Sequence, residues 1–343
     1  MTAENRPQQT EIPYQNIARG LLEADMPAWM GPVEKGKVRD SWVFNFREEK
    51  YRVMVTTDRT SAMDANVVAL PGKGKVLNLL SAFWFESTRD IIPNQMKDIP
   101  HPNVLISEQA EEDMGVEVVA RRFMAKSSTS TSVYHNYMDL RRTNIYGIDF
   151  PKGLRANEEF PMGTIITPTT KAKEGHDIEL TDDEARERVD SKFGDGIWDQ
   201  AKKAGIALFE RGYKFSLGSG LIMADTKYEF GIKKDGSLML IDEVHTPDSS
   251  RFWLAESYRE KFARGENPVS FDKEIIRRWL AEHGFKGDGP VPVIPLEVID
   301  QVAEAYTVPY KMITGKDIPV DPPSKASNIS SDTNQYFFNL AGG

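Results

Sequence analysis

Apolar and polar positions alternate along several short stretches of the first half of the chain, a pattern typical of half-buried strands. Residues 37–46 and 51–57 are rich in β-branched and aromatic side chains and are joined by a charged connection, so they predict a hairpin. Residues 116–123 predict another strand. Residues 76–89 instead carry apolar side chains at helical spacing and predict an amphipathic helix.

Helices become more frequent in the second half. Thr181 followed by Glu184 forms a capping box, which predicts a helical stretch to about residue 211 with a break at 194–196. Ser270 is expected to cap a helix that stops at Gly284, and 295–306 predicts one more helix. Strands in pairs followed by helices favour an α+β fold with largely antiparallel sheets.

Three segments have weaker patterns. Residues 127–132 form a hydroxyl-rich loop, and 139–160 are charged and interrupted by Gly and Pro, as expected of a surface excursion. Residues from 316 onward are polar and rich in Pro and Ser, which indicates a tail or a wrapping arm.

The composition limits the class of protein. With 343 residues the chain has room for two domains or one large one, and its lack of cysteine excludes disulfides, thiolate nucleophiles and Cys-rich zinc sites. The net charge of −9 argues against nucleic-acid partners. Neither a secretory leader nor a membrane-spanning stretch is expected, so we predict a cytoplasmic enzyme with no membrane partner.

The strongest candidate site is a second hairpin, formed by 221–231 and 237–244 around Asp235-Gly236. A two-residue loop would place Glu229 directly opposite Asp242, with Asp225 and Lys227 on the same face. Like charges opposite each other destabilise a sheet, and Mg²⁺ between the carboxylates would remove that penalty. The alternative is two solvated acids partly neutralised by Lys227, and the pattern alone does not decide between them.

Basic residues gather at three places. Residues 31–38 resemble a P-loop but lack its final Ser or Thr and precede a strand, so that motif is rejected, although Lys37 and Arg39 could still hold phosphates. Lys73 lies in a Gly-rich loop that leads into a helix, where anions are favoured. Arg121 lies at the end of a strand and is a third candidate for binding an anion. The five histidines have no metal-binding spacing.

Together these segments resemble the SAICAR synthetase family. The resemblance is carried, in chain order, by GKVRD (36–40), TTDRTSAMD (56–64), LPGKGKVLNLLSAFWF (70–85), EVVARR (117–122), ITPTTKAKEGHD (166–177), LIMADTKYEFG (221–231), IDEVHTPDSSRFW (241–253) and SFDKEIIRRWL (270–280). One departure is Lys126, which precedes Ser127 where the family usually has Gly.

The resemblance implies an ATP-dependent ligase of purine biosynthesis. It would condense a carboxylated aminoimidazole ribotide (CAIR) with L-aspartate through an acyl phosphate, to give the succinocarboxamide SAICAR, ADP and phosphate. The implied fold is a two-lobed arrangement like those of ATP-grasp enzymes and protein kinases. An N-terminal antiparallel lobe (13–123) would cover the nucleotide, a larger α+β domain (124–313) would hold the metal and the substrates, and 314–343 would be an arm or tail.

The resemblance also implies residue roles. Lys37 and Arg39 would contact the ATP phosphates, and Glu229 and Asp242, with Asp225 as a further ligand, would hold Mg²⁺. The ribotide's phosphate would be bound by Arg121, Ser127 and Arg251, with Lys73 as a weaker candidate. Lys227 and Asp248 would be the catalytic residues, and together with Asp177 they would orient the imidazole substrate or polar reactants. The L-aspartate pocket is the least defined, with Lys171 and the hydroxyls of 127–132 as candidates. Another ATP-dependent ligase, a small-molecule kinase, or a catalytically idle nucleotide-binding protein remain as alternatives, and the oligomeric state is open.

Overall fold

The computed structural model describes residues 20–63, 65–127, 129–171, 177–271, 273–319 and 329–342. Its first sheet has five strands in the order β1-β2-β3-β7-β6. Their bounds are β1 (Glu34–Lys35), β2 (Arg39–Phe46), β3 (Glu49–Thr56), β6 (Met96–His101) and β7 (Val104–Glu108). Strands β2 and β3 are the predicted first hairpin, with Phe44 opposite Tyr51.

The second sheet has eight strands and carries most of the candidate residues. Its main path is β12-β9-β14-β16-β17, with β13 paired to β9 and both β8 and β15 paired to β14. The bounds are β8 (Glu112–Asp113), β9 (Val116–Arg121), β12 (Ile165–Ile166), β13 (Thr169–Thr170), β14 (Leu221–Ile232), β15 (Leu238–Ile241), β16 (Ser250–Leu254) and β17 (Ser270–Phe271). Two small hairpins complete the strands: β4 (Arg59–Ala62) with β5 (Ala65–Ala69), and β10 (Asn144–Ile145) with β11 (Ile148–Asp149).

Seven α-helices lie in the described part of the chain. They are α1 (Lys73–Ser87), α2 (Asp182–Phe193), α3 (Ile197–Gly218), α4 (Ala255–Ala263), α5 (Glu274–Glu282), α6 (Leu296–Thr314) and α7 (Ile329–Gly342). The capping box is confirmed, since Thr181 Oγ1 accepts from Glu184 N and the Glu184 carboxylate accepts from Thr181 N. None of these described helices has the length and hydrophobicity needed to cross a bilayer.

The main core lies between α1, α3 and the face of β14 that carries Tyr228 and Phe230. Trp84 of α1 and Trp198 of α3 are fully buried in it. This packing fixes β14 along its length, because one face of the strand is held in the core while the other remains available for polar side chains. The α+β class with antiparallel sheets is thus confirmed.

Two expectations about elements are corrected. Ser270 does not cap a helix but pairs with Trp253 in the ladder of β16 and β17, and α5 begins at Glu274. Residues 139–160 are more than a surface excursion, because Phe150 and Phe160 are buried in a small core of their own. Strands β8 and β9 pair with β14 in the second sheet, and the domain boundary expected at 123 stays a prediction.

The C-terminal helix α7 packs on the first sheet. Phe337 contacts the rings of Trp29, Phe44, Phe46 and Tyr51, with ring centroids 5.1 to 5.5 Å apart. The C-terminal segment, whose polar composition predicts a tail or an arm, therefore contains a helix with one apolar face.

Candidate functional site

The hairpin of β14 and β15 has a different register from the one expected. Glu229 pairs with Ile241, and the loop consists of residues 234–236, which is an odd number. The expected direct pairing of Glu229 with Asp242 is therefore wrong, because one extra loop residue moves every partner to the other face of the sheet.

Asp242 nevertheless comes close enough to Glu229 for the two charges to interact. It lies just beyond β15 with a left-handed φ of 63°, so it leaves the ladder instead of continuing it. Burial raises the pKa of Asp242 to about 6, with Glu229 and Glu243 adding to the rise and Arg39 opposing it. The charges of Glu229 and Glu243 therefore act on Asp242, in addition to its burial.

Arg39, at the start of β2, joins the first sheet to these acids. Its Nη1 donates to Asp242 Oδ1 at 2.8 Å and its Nη2 donates to Glu243 Oε2 at 2.6 Å. Burial alone would lower the pKa of Arg39, but the two carboxylates outweigh it and raise the pKa. Arg39 was expected at nucleotide phosphates, and in the structure it is the counter-charge of Asp242 and Glu243.

Glu229 lies in a row of alternating charges across β9 and β14. Lys227 Nζ donates to both Glu117 Oε1 and Glu229 Oε1 at 2.7 Å, and Lys171 Nζ donates to Glu229 and Asp113. Burial by itself would raise the pKa of Glu229, but Lys227 and Lys171 outweigh it and hold the pKa at about 2. The two lysines therefore favour the ionised form of Glu229.

A second charged cluster lies further along the same strand. Asp225 accepts from Arg251 Nη1 and, at 3.5 Å, from Arg121 Nη1. Arg251 also donates through Nη2 to Ser127 Oγ at 3.1 Å, while Arg121 Nε donates to the Thr167 hydroxyl at 2.8 Å. Asp225 therefore orients two guanidinium groups next to a serine hydroxyl, a combination suited to a phosphate.

Asp248 is held by cations from two distant segments. Its Oδ2 accepts from Lys73 Nζ at 3.0 Å, and its Oδ1 lies 3.0 Å from Lys273 Nζ and accepts from the Tyr306 hydroxyl at 2.7 Å. Burial alone would raise the pKa of Asp248, but Lys273, Lys73 and Tyr306 outweigh it and lower the pKa. Lys73 was expected to contact a substrate, but its side chain is fully buried against Asp248.

One cavity of about 290 Å³ connects these groups. The residues named above that line it are Arg121, Ser127, Asp225, Lys227, Asp248, Arg251 and Lys273. The end of the cavity lined by Arg121, Arg251 and Ser127 is suited to binding an anion. Lys227, on the cavity wall, belongs to the row of alternating charges that contains Glu229. Among the described residues, no three His, Cys, Asp or Glu side chains form a metal cluster, and Asp225 is engaged with arginines.

The remaining expected residues lie at the edges of this arrangement. Lys37 is exposed immediately before β2. Asp177 is partly buried and near enough to Glu117 for its charge to contribute to the raised pKa of that carboxyl, behind burial, which is the main cause.

Sequence reasoning missed four participants: Glu117, Glu243, Lys273 and Tyr306. Glu243 had a usable signal, because a second acid directly follows Asp242. Glu117 and Lys273 lie within the quoted motifs 117–122 and 270–280, but their partners, like that of Tyr306, lie more than 20 residues away along the chain and meet them only through packing.

Comparisons with known proteins identify relatives of this chain. The model of the family described as SAICAR synthetase matches residues 32–292. The phosphoribosylaminoimidazole-succinocarboxamide synthase of Legionella pneumophila is 39% identical over 303 residues, covering 88% of this chain and 93% of its own. The chloroplastic enzyme of that name from Arabidopsis thaliana is 39% identical over 310 residues, covering 89% of this chain and 72% of its own.

A solved structure agrees with the sequence relatives. The SAICAR synthase of Saccharomyces cerevisiae, complexed with SAICAR, superposes with a TM-score of 0.72 at 27% identity, covering 87% of this chain and 99% of that one. The family match extends over well more than half of the chain and includes both charged clusters. The chain therefore belongs to the SAICAR synthetase family, whose members are ligases of purine biosynthesis.

Proposed function

We propose that this chain catalyses the ATP-dependent condensation of CAIR with L-aspartate, giving SAICAR, ADP and phosphate. The observation that carries the proposal is the cavity of about 290 Å³, which has paired arginines at one end and Lys227, bonded to Glu229, on its wall. A phosphorylated ribotide needs an anion-binding end, and amide formation driven by ATP needs a second region where phosphate charge is handled.

The reaction requires activation of a carboxylate, which is a poor electrophile. In the proposed sequence a CAIR carboxylate oxygen attacks the γ-phosphorus of ATP, which releases ADP and leaves an acyl phosphate. The aspartate amine then attacks the acyl carbon, phosphate departs with the C–O electron pair, and the amine loses a proton. The chain supplies alignment and charge, which account for most of catalysis in such transfers.

The arginine end is assigned to the ribotide's phosphate. Arg121 and Arg251 are already oriented by Asp225, and Ser127 donates or accepts beside them. Lys227 and Asp248 line the cavity between this end and the acids, so they are placed to orient the imidazole and its carboxylate. Asp177 lies near Glu117 and is assigned the same orienting role at the edge of the site.

Glu229 and Asp242 fit Mg²⁺ as its protein ligands. Both are oxygen donors, which Mg²⁺ prefers, and the charge of Glu229 adds to the rise that burial causes in the pKa of Asp242. When bound, Mg²⁺ would screen the charge of the ATP phosphates. Asp225 Oδ2 accepts from Arg121 and Arg251, so its carboxylate is assigned to orienting these arginines, and its expected role as a further metal ligand stays a prediction.

Lys37 and Arg39 are assigned to the ATP phosphates from the first sheet. Both lie at the entrance of β2, and Arg39 already reaches across to Asp242. In this proposal the five-stranded sheet is the lobe that covers the nucleotide, and the eight-stranded sheet with its helices holds the metal and ribotide, as in ATP-grasp and kinase-like enzymes.

ADP release measured with single-substrate omissions tests the reaction. We expect ADP only when Mg²⁺, CAIR and L-aspartate are all present. ADP release from CAIR without an aspartate requirement would instead favour a small-molecule kinase, and release with neither would refute the proposal.

The metal assignment is tested by Glu229→Gln, which keeps the size of the side chain but removes its charge. Turnover should fall by at least a hundredfold while the circular dichroism spectrum stays unchanged. Glu187→Gln is the matched control, because Glu187 is exposed on α2 away from the site. Near-normal turnover of Glu229→Gln in Mg²⁺ would contradict the assignment.

The phosphate assignment is tested by Arg251→Ala, with the exposed Arg259 of α4 as the control position. Loss of a charged pair to phosphate should raise the KM for CAIR by about tenfold to a hundredfold, while the KM for ATP changes little. A defect confined to the KM for ATP would refute the role.

A further inference from the structure

Tyr306 reaches the cavity wall from outside the family-matched segment. It lies on α6, beyond residue 292 where that match ends, and only 1% of its surface is exposed. Its hydroxyl donates to Asp248 Oδ1 at 2.7 Å. Asp248 belongs to the loop before β16 and lines the cavity.

The ring of Tyr306 also contacts the partner of that carboxylate. Lys73 Nζ lies 5.4 Å from the centroid of the Tyr306 ring and 3.0 Å from Asp248 Oδ2. One side chain thus touches both members of a buried ion pair, with its hydroxyl on the anion and its ring beside the cation. A buried ion pair needs such additional bonds, since the attraction between the charges alone scarcely offsets their loss of hydration.

Helix α6 is held firmly enough to fix this contact. It packs on α1, whose first residue is Lys73, and Val302, Tyr306 and Tyr310 of α6 are buried in the main core. Pro319, just after the helix, accepts from Lys75 Nζ at 2.8 Å. The Tyr306 hydroxyl therefore approaches Asp248 from a rigid element.

We propose that Tyr306 is a positioning residue that holds the Asp248 carboxylate in its orientation at the cavity wall between Lys73 and Lys273. This inference rests on the proposed function, in which Asp248 orients the ribotide. Tyr306 acts through Asp248 and is not itself assigned a contact with substrate.

The test is Tyr306→Phe, which removes the hydroxyl and keeps the ring beside Lys73. Tyr310→Phe is the matched control, because Tyr310 is buried one turn further along the same helix. We expect kcat/KM for CAIR to fall about tenfold in Tyr306→Phe, the loss of one hydrogen bond to a charged group, and to stay within twofold in the control. Melting temperatures measured on both variants should shift by similar small amounts.

A pH profile separates positioning from a purely structural role. Burial lowers the pKa of Lys73 to about 8, Asp248 and Glu243 raise it, and Lys273 lowers it further. If the freed Asp248 carboxylate turns away from Lys73, the pKa of Lys73 falls, and the alkaline limb of kcat/KM moves to lower pH in Tyr306→Phe but not in Tyr310→Phe.

Two results would overturn the inference. The first is a Tyr306→Phe enzyme whose kcat/KM and alkaline limb match those of the wild type. The second is a drop in kcat/KM that the control shares. Single-substrate omission assays on the wild type test the proposed function separately. If ADP release requires neither CAIR nor aspartate, the proposed function is wrong, and so is the inference that rests on it.

Discussion

His245 makes the stability of this fold depend on pH in a calculable way. The ring is fully buried, its Nε2 lies 2.5 Å from the Tyr228 hydroxyl, and the Trp84 ring packs edge-on with centroids 4.7 Å apart. Burial lowers its pKa from 6.5 to about 3. The folded chain therefore keeps His245 neutral while the unfolded chain protonates it below about pH 6.5.

The direction and the magnitude of this pH dependence follow from the protons that His245 binds in the folded and unfolded states. Below pH 6.5 the unfolded state binds more protons at this residue than the folded state, so stability is fully present above pH 6.5 and is lost as the pH falls towards 3. Each pKa unit corresponds to roughly 1.4 kcal/mol, so His245 should cost about 2 kcal/mol of unfolding free energy between pH 6.5 and pH 5.

Urea unfolding at pH 7, 6 and 5 measures this loss. The perturbation is His245→Gln, which removes the titrating ring, and His283→Gln is the control because His283 is exposed. His245→Gln is expected to be less stable at pH 7, yet its unfolding free energy should fall less steeply with pH than that of the wild type and of the control. Parallel pH dependence in all three proteins would refute the reasoning.

Two further substitutions probe packing. Gly212→Ala would place a Cβ 2.3 Å from His245 Cε1, so its unfolding free energy in urea should fall by about 1–3 kcal/mol, whereas Gly218→Ala, which meets open space, should change little. Phe337→Ala should cost about 3–5 kcal/mol by removing the ring at the centre of the aromatic cluster, and Phe338→Ala, 73% exposed, should stay within about 0.5 kcal/mol of the wild type in the same assay.

The sequence predicts the features that depend on residues close to one another along the chain. The hairpin of β2 and β3 and the capping box at Thr181 follow from local alternation and local hydrogen bonds. The register of the second hairpin depends on a single loop residue. Asp235 accepts from Ser237 N at 3.0 Å and Gly236 has a φ of 82°, which suit several turn lengths, so composition could not choose between them.

The site was predictable where its residues lie within recognisable motifs, and not where tertiary packing brings them in. The pairing of Arg39 with Asp242 spans 203 positions, and that of Tyr306 with Asp248 spans 58. Periodicity reports which face of an element is apolar, but it carries no information about which distant element covers that face. The arginines of the cavity were identified, whereas the carboxylate that orients them, Asp225, was expected at the metal.

The packing of α7 on the first sheet sets an order of events during synthesis. Residues 39–56 leave the ribosome early, but the helix that covers Phe44, Phe46 and Tyr51 comes from residues 329–342 and emerges last among the described elements. A nascent sheet with an uncovered aromatic face is exposed to association with other chains. We therefore expect the burial of this aromatic face by α7 to be one of the last steps of folding.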